Sequence, residues 1–456
     1  MHEKDKTWKC GRQALAVALM LAIFSAPGAA HETGDETSHP VRHVAEFTPT
    51  PVPDRIVLTW TGDPSRSQAV TWRTSADVAH GVGEIAVAGE GPLFAKRAKQ
   101  VSAKTAHLEG DLGSASYHTV EFEGLTAKTK YAYRVGDGRV FSEWSHFTTA
   151  NDWAEPFTFI YVGDAQNDIK SHWSRVIRSA FVDAPKAAFV LHAGDLINRA
   201  NRDAEWGQWF YATGFLHRMI PCVATPGNHE YSRPDPNSEK ELSVHWRPTF
   251  AFPTHGPEGL EETAYFLDYQ GTRIVCLNSN EAQQEQVRWL RKVLEQAGAK
   301  WTILTFHHPL YASAEGRDNT ELRDLWQPVL DEYRVDLVLQ GHDHTYARSG
   351  LMTHENITAG VTARSETAGT VYVVSVSGPK MYELEERPFM KRAAEDTQLY
   401  QIIRIDGDQL HYEARTATGS LYDGFTLIKR DGRPNRLVER VPPRKERRRI
   451  DGRRVD

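Results

Sequence analysis

Five short segments carry side chains able to hold divalent or trivalent cations. They are Gly163-Asp164-Ala165-Gln166, Gly194-Asp195-Leu196-Ile197-Asn198, Gly227-Asn228-His229-Glu230, His307-His308-Pro309 and Gly341-His342-Asp343-His344, and each directly follows an apolar run. A single Gly-Asp or a single histidine in such a place is ordinary turn structure. Together, however, the five supply Asp164, Asp195, Asn228, His307, His342 and His344, mixed oxygen and nitrogen donors with no thiolate among them. That donor set disfavours a structural zinc site and suits a catalytic pair of cations about 3.5–4 Å apart. Cations so close repel strongly, so at least one carboxylate is expected to bridge them. Imidazole and amide oxygen would complete the shells, with positions left for water and phosphate oxygen.

The elements that must position these residues follow from the apolar runs. Residues 157–162, 187–191, 219–224, 273–277, 301–306 and 335–339 read as buried strands, and 281–296 and 321–333 have the apolar spacing of helices. Residues 370–377, 400–405 and 411–414 read as closing strands. The alternation predicts a layered α/β domain over 154–430, with loops at the carboxyl ends of its strands facing one crevice. The long proline-bearing segment 231–270 is expected to form a rim of that crevice.

Ahead of this domain, 54–150 breaks into short alternating strands, for example 56–60, 68–72 and 119–122. Tyr131 and Tyr133, two apart on one face of a strand, suit a tyrosine corner in a sandwich of antiparallel sheets, and the aromatic residues there read as core. The polar, proline-bearing stretch 31–53 reads as a linker. Residues 431–456, with Arg444, Lys445, Arg447, Arg448 and Arg449, read as a solvated basic tail.

At 456 residues the chain has room for two domains with cores of their own, and 25% charged with 40% hydrophobic residues is the balance of a soluble globular protein. A formal net charge of −6 offers no electrostatic basis for a nucleic-acid partner. Lys4, Lys6, Lys9 and Arg12 precede an apolar run over 14–24, and the small residues Gly28 and Ala30 follow. This pattern predicts a secretory signal over 1–30, cleaved near Ala30, and a mature protein that is periplasmic or secreted. The run is short for a bilayer and no other stretch is long enough, so no stable membrane insertion is expected. Cys222 and Cys276 lie in apolar strand-like runs; buried thiols are the simpler expectation, and a single disulfide stays open.

The motif series resembles the calcineurin-like metallophosphoesterase superfamily. The module in front resembles a fibronectin type III domain, and the combination is similar to the purple acid phosphatase branch over residues 55–428. The resemblance implies that Asp195 bridges the metals, that Asp164 and His344 hold the first, and that Asn228, His307 and His342 hold the second. It also implies that His229 stabilises the transition state or protonates the leaving oxygen. Two positions depart from the pattern. Asn198 stands where purple acid phosphatases have the tyrosine that binds ferric iron, and Gln166 stands where other branches have histidine. Gln166 and Asn198 are therefore candidates for the metal shell or its surroundings, ferric iron is disfavoured, and a colourless protein with Fe(II), Mn(II) or Zn(II) is expected.

The expected activity is hydrolysis of a small phosphoester, a monoester in the manner of an acid phosphatase, by in-line attack of a metal-bound hydroxide. His308, beside a proposed ligand, is a second catalytic candidate or is simply hydrogen-bonded to a neighbouring loop. Glu230, Asp343 and Tyr346 are placed to support the ligands. Arg317, in the loop after His307, is a candidate to grip phosphate. Two other readings stay open: a phosphodiesterase using the same site, and a non-catalytic metal-bearing protein that uses its sandwich for adhesion.

Overall fold

The computed structural model describes residues 39–450 apart from 297, 355–356, 359–361, 364–368 and 431, and also 453–454. The expected signal segment, 1–30, lies outside the described residues.

The first module is a sandwich of eight strands: β1 (Asp54–Thr59), β2 (Gln68–Ser75), β3 (Val82–Val87), β4 (Lys99–Ser102), β5 (Lys104–Gly110), β6 (Gly113–Phe122), β7 (Lys130–Gly136) and β8 (Ser145–Thr148). They form two antiparallel sheets, ordered β1-β2-β6-β5 and β4-β3-β7-β8. Between the sheets, Trp72, Val70, Val120, Phe122, Tyr133 and Phe147 make a closed apolar core. The tyrosine corner is present: the Thr126 N–H donates to the Tyr131 hydroxyl at 2.8 Å. Tyr133 instead donates across to the Arg218 carbonyl of the second domain, at 2.8 Å.

The second domain contains β9 (Phe157–Val162), α1 (Ser174–Asp183), β10 (Val190–His192), α2 (Asp203–Thr213), β11 (Cys222–Ala224), β12 (Tyr265–Tyr269), β13 (Thr272–Cys276), α3 (Gln283–Glu295), β14 (Trp301–Thr305), α4 (Thr320–Glu332), β15 (Leu337–Gln340), β16 (Tyr346–Ser349), β17 (Val371–Val374), β18 (Met390–Ala394), β19 (Leu399–Asp406), β20 (Gln409–Thr416), β21 (Leu421–Arg430) and β22 (Arg433–Glu439). Its strands build two mixed sheets of seven, ordered β11-β10-β9-β19-β20-β21-β22 and β12-β13-β14-β15-β17-β16-β18. The parallel strands are β9, β10 and β11 in one sheet and β13, β14, β15 and β17 in the other. These strands are buried on both faces, which explains their nearly unbroken apolar sequences.

Three expectations about extent are corrected. The stretch read as a linker, 31–53, contains a short turn of helix, Val44–Phe47, whose Phe47 is buried. A Cβ at Gly207 in α2 would collide with the Phe47 ring, so the glycine makes the seat for that side chain. The residues read as a basic tail begin with β22, an edge strand. Glu439 at its end accepts from the buried Arg348 guanidinium at 2.7 Å, and Glu446 accepts the Ala393 N–H at 2.8 Å. Finally, the segment after β11 is less of a rim than expected. Trp246, Phe250 and Phe252 join Tyr265 in the core, and the Thr249 carbonyl accepts from Thr71 of the sandwich. So many large aromatic side chains gain more by burial than by facing water.

The sandwich meets the second domain through buried ions. Asp203, at the start of α2, accepts from Arg55 of β1 and, at 3.0 Å, from Arg73 of β2. Arg73 also holds Asp54 at 2.6 Å and the Phe47 carbonyl at 2.9 Å. His245 lies 3.7 Å from the same Asp203.

A candidate dinuclear metal centre

The carboxyl ends of β9, β10 and β11 in one sheet and of β14 and β15 in the other bring all six proposed ligands to one cleft. Three atoms meet on one side: Asn228 Oδ1 lies 3.1 Å from His307 Nε2 and 2.9 Å from His342 Nδ1, and those two nitrogens are 3.1 Å apart. His307 Nδ1 donates to the Ala193 carbonyl at 2.8 Å, and against burial the neighbouring Asp195 raises the ring to about 9. An amide oxygen and two imidazole nitrogens thus converge on one point, donors able to hold a cation once the ring nitrogens have given up their protons. On the other side, His344 Nδ1 donates to the Lys380 carbonyl at 2.9 Å, and Nε2 stands 3.6 Å from Asp164 Oδ1.

These contacts resolve into two sets of converging atoms, Asp195 with His307 and His342, and Asp164 with Asp195 and His344. Asp195 belongs to both. Its Oδ2 lies 3.1 Å from His307 Nε2, yet makes no hydrogen bond, and the buried Gln166 Oε1 and Asn198 Oδ1 likewise have no hydrogen-bond partner. Buried polar oxygens in that state are costly, and convergent ones fit cations better than they fit a packed polar core. The residues present therefore suit two metal ions.

The backbone shows how tightly this is specified. Asp164, Asp195, His342 and His344 have φ of 43°, 53°, 75° and 50°, a region that side-chain-bearing residues enter at a cost. Gly194, at φ +86°, lets the loops close: a Cβ there would stand 2.6 Å from the Gly227 nitrogen and 2.7 Å from His307 Nδ1.

Support comes from carboxylates that serve the backbone. Glu230 accepts the N–H groups of Asp195, Leu196 and Gly227 at 2.9, 2.8 and 2.7 Å. Burial and the nearby charge of Asp195 push Glu230 up to about 7. Asp343 accepts the Ser313 and Ala314 N–H groups. Tyr346, expected to share this work, instead donates to Asp423 at 2.7 Å, because β16 turns its side chain into the core beside Arg348. The two cleft aspartates are pushed in opposite directions. Burial raises Asp164 well above the usual carboxylate range, whereas His307 and His229 overcome burial and hold Asp195 far below it.

His229 lies at the rim. Its backbone N–H donates to Asp195 Oδ1 at 2.9 Å, and its ring Nδ1 is 2.6 Å from the Asn198 carbonyl. His308 Nδ1 is 2.8 Å from Ser279 Oγ, and its ring centre is 4.3 Å from that of His342. Arg317 reaches the His342 carbonyl at 3.0 Å and lies 4.7 Å over the Tyr382 ring. Gln166 Nε2 is 2.7 Å from His344 Nε2. Sequence reasoning missed Glu205, which accepts the Asn198 and Arg199 N–H groups at 2.9 and 2.8 Å. It also missed the segment from Gly378 to Tyr382, whose Tyr382 ring lies 4.6 Å from His344. That segment follows β17, and the rule that sites gather at strand ends would have found it.

Comparison with known proteins accords with this geometry. Residues 157–346 match the calcineurin-like phosphoesterase model, and 53–149 match the purple acid phosphatase N-terminal domain. The chain joins these two domains. The calcineurin-like segment runs from β9 into β16 and so spans every proposed ligand. Purple acid phosphatase 1 of Ipomoea batatas is 24% identical over 72% of this chain and 71% of its own length. A purple acid phosphatase of Glycine max is 26% identical over 58% and 60%, and Fe(3+)-Zn(2+) purple acid phosphatase 12 of Arabidopsis thaliana is 25% identical over 52% and 53%. The chain thus spans from about half to under three quarters of these relatives. Among solved structures, the yellow lupin purple acid phosphatase PPD1 superposes with a TM-score of 0.67 at 20% identity, covering 82% of this chain and 74% of that one. PhoD superposes with a TM-score of 0.62 at 15% identity, over 89% and 94%. Both share the fold.

Proposed function

We propose that the protein is a metal-dependent phosphoester hydrolase of acid phosphatase type, acting on small phosphomonoesters. The observation that carries this reading is the membership of Asp195 in both sets of converging donors. Two cations held there would lower the pKa of water and offset the charge of phosphate oxygens. Asp195, common to both sets, would serve both cations; Asp164 and His344 would hold one, and Asn228, His307 and His342 the other. A half-turn of the Gln166 amide brings its unpartnered Oε1 to the point that His344 Nε2 faces, so Gln166 completes the first set.

With both ring nitrogens protonated, His229 donates from Nε2 to the leaving oxygen while Nδ1 holds the Asn198 carbonyl. His308, tied to Ser279, shapes the wall beside His342. Arg317 keeps the His342 loop in place and turns its remaining N–H groups toward phosphate. Asn198 offers no phenolate, so the metals are Fe(II), Mn(II) or Zn(II) and the protein is colourless. The charged start and apolar run of the leader support export. Among the described residues no helix is long and apolar enough to cross a membrane.

The test uses purified protein, metal analysis, and matched aryl phosphomonoester and phosphodiester substrates. Two metals per chain and faster monoester turnover are expected, and Asp195→Asn should lose metal and at least 99% of turnover. Wild-type metal content and rate in that variant would end the bridging assignment, and faster diester turnover would make the protein a phosphodiesterase.

A further inference from the structure

A second group of metal-ligand side chains lies outside the cleft, under Trp173 and Trp209. His192 ends β10 and Cys222 begins β11. The parallel register sets Val190 opposite Cys222 and His192 opposite Ala224, so the period of two puts the imidazole and the thiol on one face of the sheet. His217 enters from the turn between α2 and β11. One ring nitrogen of each histidine and the Cys222 sulfur all lie within 4.8 Å of one another, and all three residues are buried. The group holds no carboxylate.

Its hydrogen bonding is incomplete in the manner of a ligand set. His217 Nδ1 lies 3.3 Å from the Ile220 carbonyl, which places the proton there and leaves Nε2 with a lone pair. That Nε2 is 3.2 Å from His192 Nε2, while His192 Nδ1 has no partner although it is sealed from water. Whichever nitrogen of His192 carries the proton, one buried polar atom is left over. A separation of 3.2 Å between two imidazole nitrogens is also that of two ligands on one ion, and a backbone carbonyl on the far nitrogen is the usual outer partner of a ligating histidine. Both imidazoles are held neutral by burial, His217 down to about 4.

We infer that His192, His217 and Cys222 form a closed site for one soft monovalent cation, Cu(I). The thiol gives up its proton to solvent as the copper–sulfur bond forms, and no electron is transferred. Thiolate and Cu(I) sum to zero charge, which a pocket walled by tryptophan accepts; Zn(II) in the same place would leave an unpaired positive charge away from water. The ion would tie the turn after α2 to the two strands that lead to Asp195 and Asn228.

The test is copper X-ray absorption on full-length protein. It is produced in copper-supplemented medium, purified anaerobically under reducing conditions, and dialysed against a Cu(I) chelator. One copper per chain with one sulfur and two nitrogen neighbours is expected. Cys222→Ala should retain at least a hundredfold less, and Cys276→Ala should match wild type. His217→Gln serves as a second disruption should Cys222→Ala fold poorly. Copper without a sulfur neighbour in wild type, no retained copper, or equal retention in Cys222→Ala and His217→Gln would each overturn the assignment. The readout does not involve phosphoester turnover.

Discussion

Buried charge is treated in opposite ways at the domain seam and in the cleft. At the seam, Asp203 is met by two guanidinium groups, and Arg73 is met by Asp203, Asp54 and the Phe47 carbonyl. In the cleft, Asn228 Oδ1, His307 Nε2 and His342 Nδ1 converge on one point, and oxygens of Asp195, Gln166 and Asn198 lack hydrogen bonds. The seam satisfies its ions within the chain and fixes the sandwich on the second domain. The cleft leaves its donors to be satisfied from outside. Breaking a seam charge should therefore cost stability and spare chemistry, whereas breaking a cleft residue should do the reverse.

The largest expected effect on stability comes from Asp203→Ala, which strips the buried Arg55 of its carboxylate and leaves Arg73 with Asp54. Removing one partner of such a cluster costs about 3–5 kcal/mol. Urea unfolding should show that loss while metal content stays at the wild-type value. A smaller loss would mean that water or Asp111, whose carboxylate accepts the Asp203 N–H at 2.9 Å, takes over the role.

Next comes pH. Burial pushes His245, beside Asp203, down to about 4 from its ordinary 6.5. Because the folded value is the lower one, the neutral ring's contribution is fully present above pH 6.5 and is lost as pH falls toward 4. The shift corresponds to about 3 kcal/mol. Unfolding free energies of wild type and His245→Phe, measured between pH 7.5 and 4, should diverge by that amount over this window. Parallel curves would remove the seam from the acid response.

In the cleft, His229→Ala should lower kcat by about a hundredfold or more, as expected for loss of a general acid. It should leave metal content and unfolding midpoint nearly unchanged. An equal loss of metal would turn the His229 ring from a proton donor into a support for the Asn198 loop, whose carbonyl its Nδ1 contacts.

The proposed ligands, gathered in one place by the fold, and the strands behind them were legible because each motif is local: an apolar run and a donor within a few residues. What could not be read is held by long-range contact. Glu205 supports the Asn198 loop from α2, and nothing in its neighbourhood marks it. Tyr346 follows a ligand motif by two positions, yet β16 carries it into the core. Phe47 looked like part of a connector because its seat, Gly207, lies far along the chain. The basic end looked solvated because its partners, Arg348 and Ala393, become adjacent only when the sheets form.

The left-handed backbone at Asp164, Asp195, His342 and His344 bears on how these positions tolerate change. Truncation to alanine deletes the donor but keeps an awkward main-chain bend worth about 1 kcal/mol, whereas glycine deletes the donor and relaxes the bend. Of two inactive proteins, His342→Gly would be the sturdier. Any drift at these positions would then run downhill through glycine, leaving a flexible gap where a side chain had been held.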